Sequence, residues 1–289
     1  MSKKDKKLGM KMKKHIGNTL GHLMLILISA IWLIPFVCIV LESFRVETTM
    51  QVGYVIPKQW GFDNYINLFK TTDFGIWYKN TLIMAVATAI GQTIMVLCVS
   101  YALSRMRFAG RKFMMNVCLI LGMFPGFITM LVLYNILSDW GMTGSNSVIG
   151  LIIVYVASSG MGYYVSKGFF DTIPKSLDEA ARVDGATRAQ VLFKIMLPMS
   201  KPIVIYTTLT AFMAPWGDFV FAKYISHNTN AGYNVAVGLR SLIEKSEMAA
   251  DHYTHFCAGG VLVAVPVTIL FMCLQKYYVE GVTGGAVKG

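Results

Sequence analysis

The chain has 289 residues, of which 55% are hydrophobic and only 14% are charged, and its formal net charge is +11. Soluble domains carry about 25% charged residues, so this composition excludes an ordinary soluble protein and indicates a membrane protein. The length allows about six helical spans of roughly 20 residues each, together with their connecting loops.

The basic residues lie in a leading tail, residues 1–19, and in short segments between apolar runs. This distribution leaves no folded basic surface that could follow phosphates, so nucleic acid is not an expected partner. Six runs that are uncharged or nearly so are each long enough for a membrane span. They cover residues 20–41, 80–104, 113–138, 148–166, 202–222 and 256–275. The sequence therefore predicts an all-α, polytopic membrane protein with one transmembrane domain, residues 20–279.

Lys and Arg residues also predict the orientation of these six spans. If the N-terminus is inside, 19 of the 26 Lys and Arg residues fall in inside segments and 7 in outside segments. Because cytoplasmic loops carry the excess of basic residues, both termini are expected in the cytoplasm, with residues 280–289 as a C-terminal tail. Gly122, Pro125 and Gly126 interrupt the third run, which fits either close helix packing or a broken helix beside a cavity; packing is favoured at any single site.

The segment 171–202, between the fourth and fifth runs, is too strongly patterned to be only a connector. Ser176 and Glu179 have the spacing of a capping box, which predicts a short helix that ends in a left-handed turn at Gly185. This helix can bury little surface by itself. It is therefore expected either to dock into a partner or to lie on lipid headgroups, and docking is the favoured interpretation.

A second capping box, Thr187 and Gln190, follows the turn at once and predicts another helix. Its apolar side is expected to consist of Val191, Leu192 and Ile195. Pro198 is expected near its end, because proline cannot continue a helix without loss of a hydrogen bond. The segment 171–202 is thus predicted to form a helix, a sharp glycine turn and a second helix on the cytoplasmic side.

This segment resembles the signature loop of permease subunits of binding-protein-dependent ABC importers, in particular those for oligosaccharides. The pattern is E-A-A-x-x-D-G-A, followed by F-x-I-x-L-P-x-x-x-P. It stands here at Glu179, Ala180, Ala181, Asp184, Gly185, Ala186, Phe193, Ile195, Leu197, Pro198 and Pro202. Residues 233–238 and 281–289 resemble the second permease subunit of maltose and maltodextrin importers.

The resemblance implies an ABC importer permease fold in the bacterial cell membrane. The implied partners are a second permease subunit, two ATPase subunits, an extracytoplasmic sugar-binding protein and membrane lipid. The helix before Gly185 would be the coupling helix, seated in a cleft of the ATPase, where Glu179 would pair with a basic residue. Other implied ATPase contacts in this loop are Ala180, Ala181, Asp184, Gly185, Ala186, Leu197 and Pro198.

Two further segments acquire roles by the same resemblance. The C-terminal tail is implied to reach into the ATPase dimer interface through Gly284, Gly285, Ala286, Val287, Lys288 and Gly289. The outer segment 224–255 is implied to contact the binding protein and to help release the sugar. Many sugar permeases carry Trp-Asn-Asp near the outer end of the fifth span, whereas this chain has Trp216, Gly217 and Asp218.

Asp218 is the only acid within an apolar run, and intramembrane acids are costly unless they have a function. It either contacts sugar in the substrate path or lies at a hydrated helix end. Trp216 either stacks on sugar or belongs to the aromatic belt at the membrane interface, and the belt is the favoured interpretation. Both residues are kept as candidates for the substrate path.

The chain contains no G-x-x-x-x-G-K-[ST] phosphate-binding loop, so we expect that it binds no cofactor. ATP and Mg are expected on the partner ATPase. We expect no catalytic residues. His252 and His255 are three residues apart but have no third ligand, so no metal site is expected. The predicted function is sugar import, with maltose or maltodextrin as substrate. The alternatives are another solute, such as galacto-oligosaccharides, or a stand-alone secondary transporter, which would be expected to show inverted repeats.

Overall fold

The computed structural model describes residues 3–47, 54–123, 126–158, 160–244 and 246–283, with side chains described within 17–244 and 252–276 of these ranges. In this part of the chain the regular structure is helical, apart from one isolated bridge between Arg45 and Trp60. The prediction of an all-α chain is confirmed.

Fourteen α-helices follow one another in the described residues. The first seven are α1 (Lys3–Ser43), α2 (Asp63–Thr71), α3 (Phe74–Arg105), α4 (Arg111–Gly122), α5 (Gly126–Asp139), α6 (Ser147–Ala157) and α7 (Gly160–Thr172). The other seven are α8 (Lys175–Val183), α9 (Arg188–Val191), α10 (Leu197–Met199), α11 (Lys201–Gly217), α12 (Val220–Ser226), α13 (Val235–Ile243) and α14 (Ser246–Thr283). A π-helical turn, Leu192–Met196, joins α9 to α10.

Four helical stretches among the described residues are long and apolar enough to cross a membrane, namely Gly17–Ser43, Phe74–Arg105, Gly144–Thr172 and His252–Lys276. Two bent pairs raise the number to six if each pair is one span: α4 with α5, bent by 102°, and Arg188–Met199 with α11, bent by 87°. The first bend lies beside Gly122 and Gly126, so the third predicted run is a broken helix. Helix interruption is tolerated where neighbouring protein or water satisfies the freed backbone groups.

The long helix α3 lies at the centre of the molecule and packs against α6, α7, α11 and α13. It contains no proline, so nothing interrupts its backbone hydrogen bonds. The larger core cluster surrounds its first half and includes Trp77, Met84 and Trp216. A smaller cluster surrounds its last turns and includes Leu97, Tyr101, Phe170, Val191, Leu192, Met196 and Ile203. In contrast, most of the apolar side chains described in α1, between Gly17 and Ser43, are exposed, as expected for a helix that faces lipid or another chain.

Candidate functional site

The signature segment 171–202 forms a helix, a turn and a second helix, as predicted. The first helix, α8, begins directly after Pro174, whose backbone angles are φ −58° and ψ 131°. No side chain caps this end, so the predicted capping box at Ser176 and Glu179 is wrong. Pro174 has the extended backbone angles that are typical of the residue before a helix, so α8 starts earlier than expected and Ser176 falls within its first turn.

Gly185 ends α8 in the left-handed conformation that the sequence predicts, with φ 84°. Its N–H donates to the carbonyl of Arg182 at 3.1 Å, and the N–H of Ala186 donates to the carbonyl of Ala181 at 2.9 Å. These two bonds form a Schellman motif, which satisfies carbonyl groups at a helix end. A Cβ atom at position 185 would meet no heavy atom within 4 Å. The backbone conformation, and not a lack of space, therefore calls for glycine.

The second capping box is confirmed. The Thr187 N–H donates to Gln190 Oε1 at 2.7 Å, and the Gln190 N–H donates to Thr187 Oγ1 at 3.3 Å. The helix that follows ends at Met199, close to the predicted end. Its buried side chains are Val191, Leu192 and Met196, whereas Ile195 is half-buried. The π-helical turn explains the difference, because a π turn pairs residues five apart and so moves the next inward position by one residue.

Arg105, the last residue of α3, holds α8 in place. Its Nε atom lies 3.1 Å from Asp178 Oδ2, and the two side chains are only 5% and 13% exposed. Its Nη2 group donates to the carbonyls of Phe170, at 2.9 Å, and Ile173, at 2.7 Å. One guanidinium thus contacts both the end of α7 and the first turn of α8. Sequence reasoning missed this pair, because no local pattern links Arg105 to an acid so far along the chain.

The anchored helix α8 has two different faces. The charged face, which lines a cleft beside the end of α3, consists of Lys175, Asp178, Glu179 and Arg182. The other face is apolar and exposed, and it consists of Leu177, Ala180 and Val183. Val183 is 87% exposed, although burying such a side chain is favourable. An exposed apolar face on a rigidly held helix is suited to contact with another protein.

The residues predicted to contact an ATPase are divided between exposed and packed positions. Glu179, Ala180, Asp184, Gly185 and Pro198 are exposed. Ala181, Ala186 and Leu197 are half-buried and pack against the smaller core cluster. Residues 284–289, the predicted tail contact, lie outside the described residues. The ATPase-contact role of all these residues stays a prediction.

Asp218 follows α11 and connects several helices. Its Oδ2 atom accepts a hydrogen bond from the Tyr155 hydroxyl at 2.5 Å, and its Oδ1 atom accepts one from the Phe221 N–H at 3.2 Å. The Asn234 side chain donates to its carbonyl at 2.6 Å. The carboxylate therefore has partners within the protein, which offsets the cost of placing an acid in this run. Its role in the substrate path stays a prediction.

Trp216 is 5% exposed and lies in the larger core cluster. Its ring centroid is 5.4 Å from that of Tyr78 and 6.0 Å from that of Phe212. The favoured interpretation, an aromatic belt residue, is wrong, because the ring packs against other aromatic rings and not at the protein surface. Its indole N–H has no hydrogen-bond partner among the described residues. A sugar contact at this position stays a prediction.

The segment 224–255, which the sequence predicts to lie outside, contacts the first turns of α3. Asn230 accepts a hydrogen bond from Trp77 Nε1 at 2.7 Å and donates to the Asp73 carboxylate. Asn80 donates to the carbonyls of Ala231 and Tyr233, both at 2.9 Å. Within the segment, Asn234 caps α13. The first half of the segment is therefore a packed structure, and no local sequence pattern indicates these contacts.

Comparison with known proteins identifies the family. Residues 95–284 match the family described as "Binding-protein-dependent transport system inner membrane component". The chain is 34% identical to the galactooligosaccharides transport system permease protein GanQ of Bacillus subtilis, over 97% of this chain and 99% of that protein. It is 34% identical to the maltodextrin transport system permease protein MalD of Streptococcus pneumoniae, over 96% of this chain and 98% of that protein.

A more distant relative and a solved structure agree with this result. The maltose/maltodextrin transport system permease protein MalG of Escherichia coli is 30% identical over 93% of this chain and 95% of its own length. A chain of a bacterial ABC transporter that imports the acidic polysaccharide alginate has the same fold, with a TM-score of 0.75 at 22% identity, covering 96% of this chain and 99% of that one. The chain therefore belongs to the family of inner membrane components of binding-protein-dependent transport systems.

Proposed function

We propose that the chain is one permease subunit of an ATP-driven oligosaccharide importer in the bacterial cell membrane. It crosses the membrane six times, through α1, α3, the bent pair of α4 and α5, the stretch Gly144–Thr172, α11 and α14. Both termini lie in the cytoplasm, which the 19-to-7 division of Lys and Arg residues supports. The helix α8 then lies in the cytoplasm and α13 on the outer side.

One observation carries the proposal: α8 is fixed to the rest of the chain on one side and exposes apolar residues on the other. The ion pair of Arg105 with Asp178 and the Schellman motif at Gly185 fix its position and its exit angle. Leu177, Ala180 and Val183 remain free for a groove in a partner. We propose that this partner is an ATPase subunit, which holds ATP and Mg, and that Glu179 and residues 284–289 add contacts to it.

The substrate class follows from the relatives. Maltodextrin and galacto-oligosaccharide permease proteins are equally similar to the chain, at 34% identity, so both sugar classes are candidates. A binding protein outside the cell would deliver the sugar to the face that carries α13. A second permease subunit would complete the sugar path.

Transport assays test this function. The chain is co-expressed with its neighbouring permease and ATPase genes, purified, and reconstituted in liposomes with the cognate binding protein. We expect uptake of maltotetraose or of a galacto-oligosaccharide that requires both ATP and the binding protein. Sugar uptake by the chain alone, driven by an ion gradient, would refute the proposal in favour of a secondary transporter.

The apolar face of α8 has its own test. Val183→Asp places a charge on that face, and we expect the ATPase subunits to be lost during purification while the second permease is retained. Val55→Asp is a matched control, because Val55 is another exposed valine, 58% exposed, on the proposed outer side. Retention of the ATPase by the Val183→Asp variant at the level of the control would contradict docking through this face.

Orientation is tested by cysteine labelling in a cysteine-free background. Ala231→Cys, an exposed position beside α13, should react with a membrane-impermeant maleimide in intact cells. Ala180→Cys, an exposed position on α8, should react only after permeabilisation. The reverse pattern would contradict the six-span arrangement.

A further inference from the structure

A cleft of about 410 Å³ separates the charged face of α8 from the end of α3 and the turn that leads to α4. We call it the basic cleft. Six cations and two carboxylates line it, which leaves a net charge of +4. The cations are Arg105, Arg107, Arg111, Lys175, Arg182 and Arg188, and the carboxylates are Asp178 and Glu179.

Little within the described chain neutralises these cations. Arg105 is the one cation of the basic cleft for which the described residues provide an ion pair, with Asp178. Its guanidinium is almost completely buried, yet the Nη1 group has no hydrogen-bond partner among the described residues. Arg107, Lys175 and Arg182 are exposed on two facing walls. Like charges on facing low-dielectric walls create a strong positive potential, which attracts an anion.

The surroundings of the basic cleft favour a lipid as the source of that anion. Arg107 and Arg111 also line a second cleft, of about 650 Å³, together with Phe108 and Phe113. These two rings are 41% and 71% exposed and lie next to the apolar helix α4. A positive site that continues into exposed aromatic surface at the end of a spanning helix matches a phospholipid, whose phosphate and acyl chains are joined.

The two faces of α8 argue against an acidic protein segment as the occupant. The exposed apolar residues Leu177, Ala180 and Val183 lie on the face that points away from the basic cleft. Glu179 lies one helical turn before Val183, at the edge between the two faces, so it can contact a partner that binds the apolar face. A protein partner on that face and a lipid in the cleft can therefore be bound at the same time. Lys and Arg residues near the ends of spanning helices are also the groups that hold anionic headgroups at the cytoplasmic surface.

We infer that the basic cleft binds the phosphate group of an anionic phospholipid, whose acyl chains lie along Phe108 and Phe113. The phosphate connects Arg107, two residues after the end of α3, with Arg182, on α8. The bound lipid then helps to fix the helix that the proposed function uses for coupling. The inference goes beyond that function, because the site is occupied whichever sugar is carried.

Lipid binding to the purified complex tests the site directly. Native mass spectrometry measures how much phosphatidylglycerol or phosphatidylcholine stays bound to the wild type and to Arg107→Gln/Arg182→Gln. Each cation at an anionic headgroup contributes about fivefold in affinity, so we expect the double variant to bind phosphatidylglycerol about 25-fold more weakly. Lys70→Gln/Lys79→Gln removes the same charge near the end of α2 and near the start of α3, at the end of α3 that lies away from the basic cleft. This control should leave phosphatidylglycerol binding unchanged. Arg107→Lys/Arg182→Lys keeps the charge and should retain most of the binding.

Each other outcome overturns the inference. Equal binding of phosphatidylglycerol and phosphatidylcholine by the wild type would show that no anionic lipid is selected, and this measurement needs no variant. Displacement of phosphatidylglycerol by inorganic phosphate would show a site for the free anion. If Arg107→Gln/Arg182→Gln binds phosphatidylglycerol normally but loses the ATPase subunits, the basic cleft is a protein interface.

Discussion

Asp178→Ala would leave the Arg105 guanidinium without its acid in a place from which water is largely excluded. Loss of one partner of a buried ion pair costs roughly 3–5 kcal/mol. We expect the lower end, about 3 kcal/mol, because Nη2 keeps its carbonyl acceptors at 2.9 and 2.7 Å and Asp178 is 13% exposed. A change of this size lowers the ratio of docked to undocked α8 about a hundredfold.

Hydrogen exchange of the purified complex measures this ratio. Backbone amides of α8 should exchange about a hundredfold faster in Asp178→Ala than in the wild type, if exchange proceeds through undocking. Amides of α13, at the other end of α3, should be unaffected. Asp139→Ala is the matched control, because Asp139 is an exposed acid at the end of α5. Equal protection of α8 in Asp178→Ala and in the wild type would refute the claim that this ion pair holds the helix.

A double variant separates the charge from the contact. Arg105→Met/Asp178→Leu removes both charges, and apolar replacement of a buried pair is often neutral or stabilising. We therefore expect its α8 amides to be better protected than those of Asp178→Ala. The charge swap Arg105→Asp/Asp178→Arg should not restore protection, because an aspartate at position 105 cannot donate to the carbonyls of Phe170 and Ile173.

Three further predictions concern other parts of the molecule. Gly185→Val should abolish sugar-stimulated ATP hydrolysis because the left-handed backbone costs a β-branched residue roughly 1–2 kcal/mol, whereas Gly185→Asn should retain part of it; equal activity of the two would contradict this. Gly238→Ala should lower stability by about 1–3 kcal/mol in thermal unfolding, because the added Cβ overlaps the Trp77 ring, and an unchanged melting temperature would count against this packing. Hydrogen bonds to the Glu47 carboxylate, from its own N–H and those of Gln59 and Lys58, lower its pKa. The segment between α1 and α2, which contains Glu47, should therefore keep full stability above the ordinary pKa of about 4.5 and lose it as the pH falls through the lowered value, as measured by proteolysis. In Glu47→Gln this pH dependence should vanish.

Local patterns in the sequence predicted the signature loop well. Gly185 and the Thr187–Gln190 capping box act within a few residues, so their geometry follows from residue type and spacing. The same kind of reasoning failed at Ser176, where Pro174 starts the helix first, and at Ile195, where a π-helical turn changes the register. No local sequence pattern shows that Leu192–Met196 forms a π-helical turn and not a regular α-helical one.

Contacts between distant residues could not be predicted from local patterns. Arg105 meets Asp178 only because α3, α7 and α8 converge, and Trp216 is buried only because α3 and α11 bring aromatic rings around it. A tryptophan near the end of an apolar run has the same sequence pattern whether it faces lipid or the core. Its placement therefore depends on the packing of the helices.

The 32 uninterrupted residues of α3 have a mechanical consequence for the whole chain. At 1.5 Å per residue the helix is about 48 Å long, so it acts as a stiff rod through the centre of the molecule. Its two ends contact different parts of the chain. Trp77 and Asn80 form hydrogen bonds with the segment before α13, and Arg105 forms an ion pair with α8. A tilt of about 10° around one end would shift the other by about 8 Å. Movement imposed on α8 would therefore reach the opposite surface as a displacement of the α13 segment, with no need for α3 to unwind or bend.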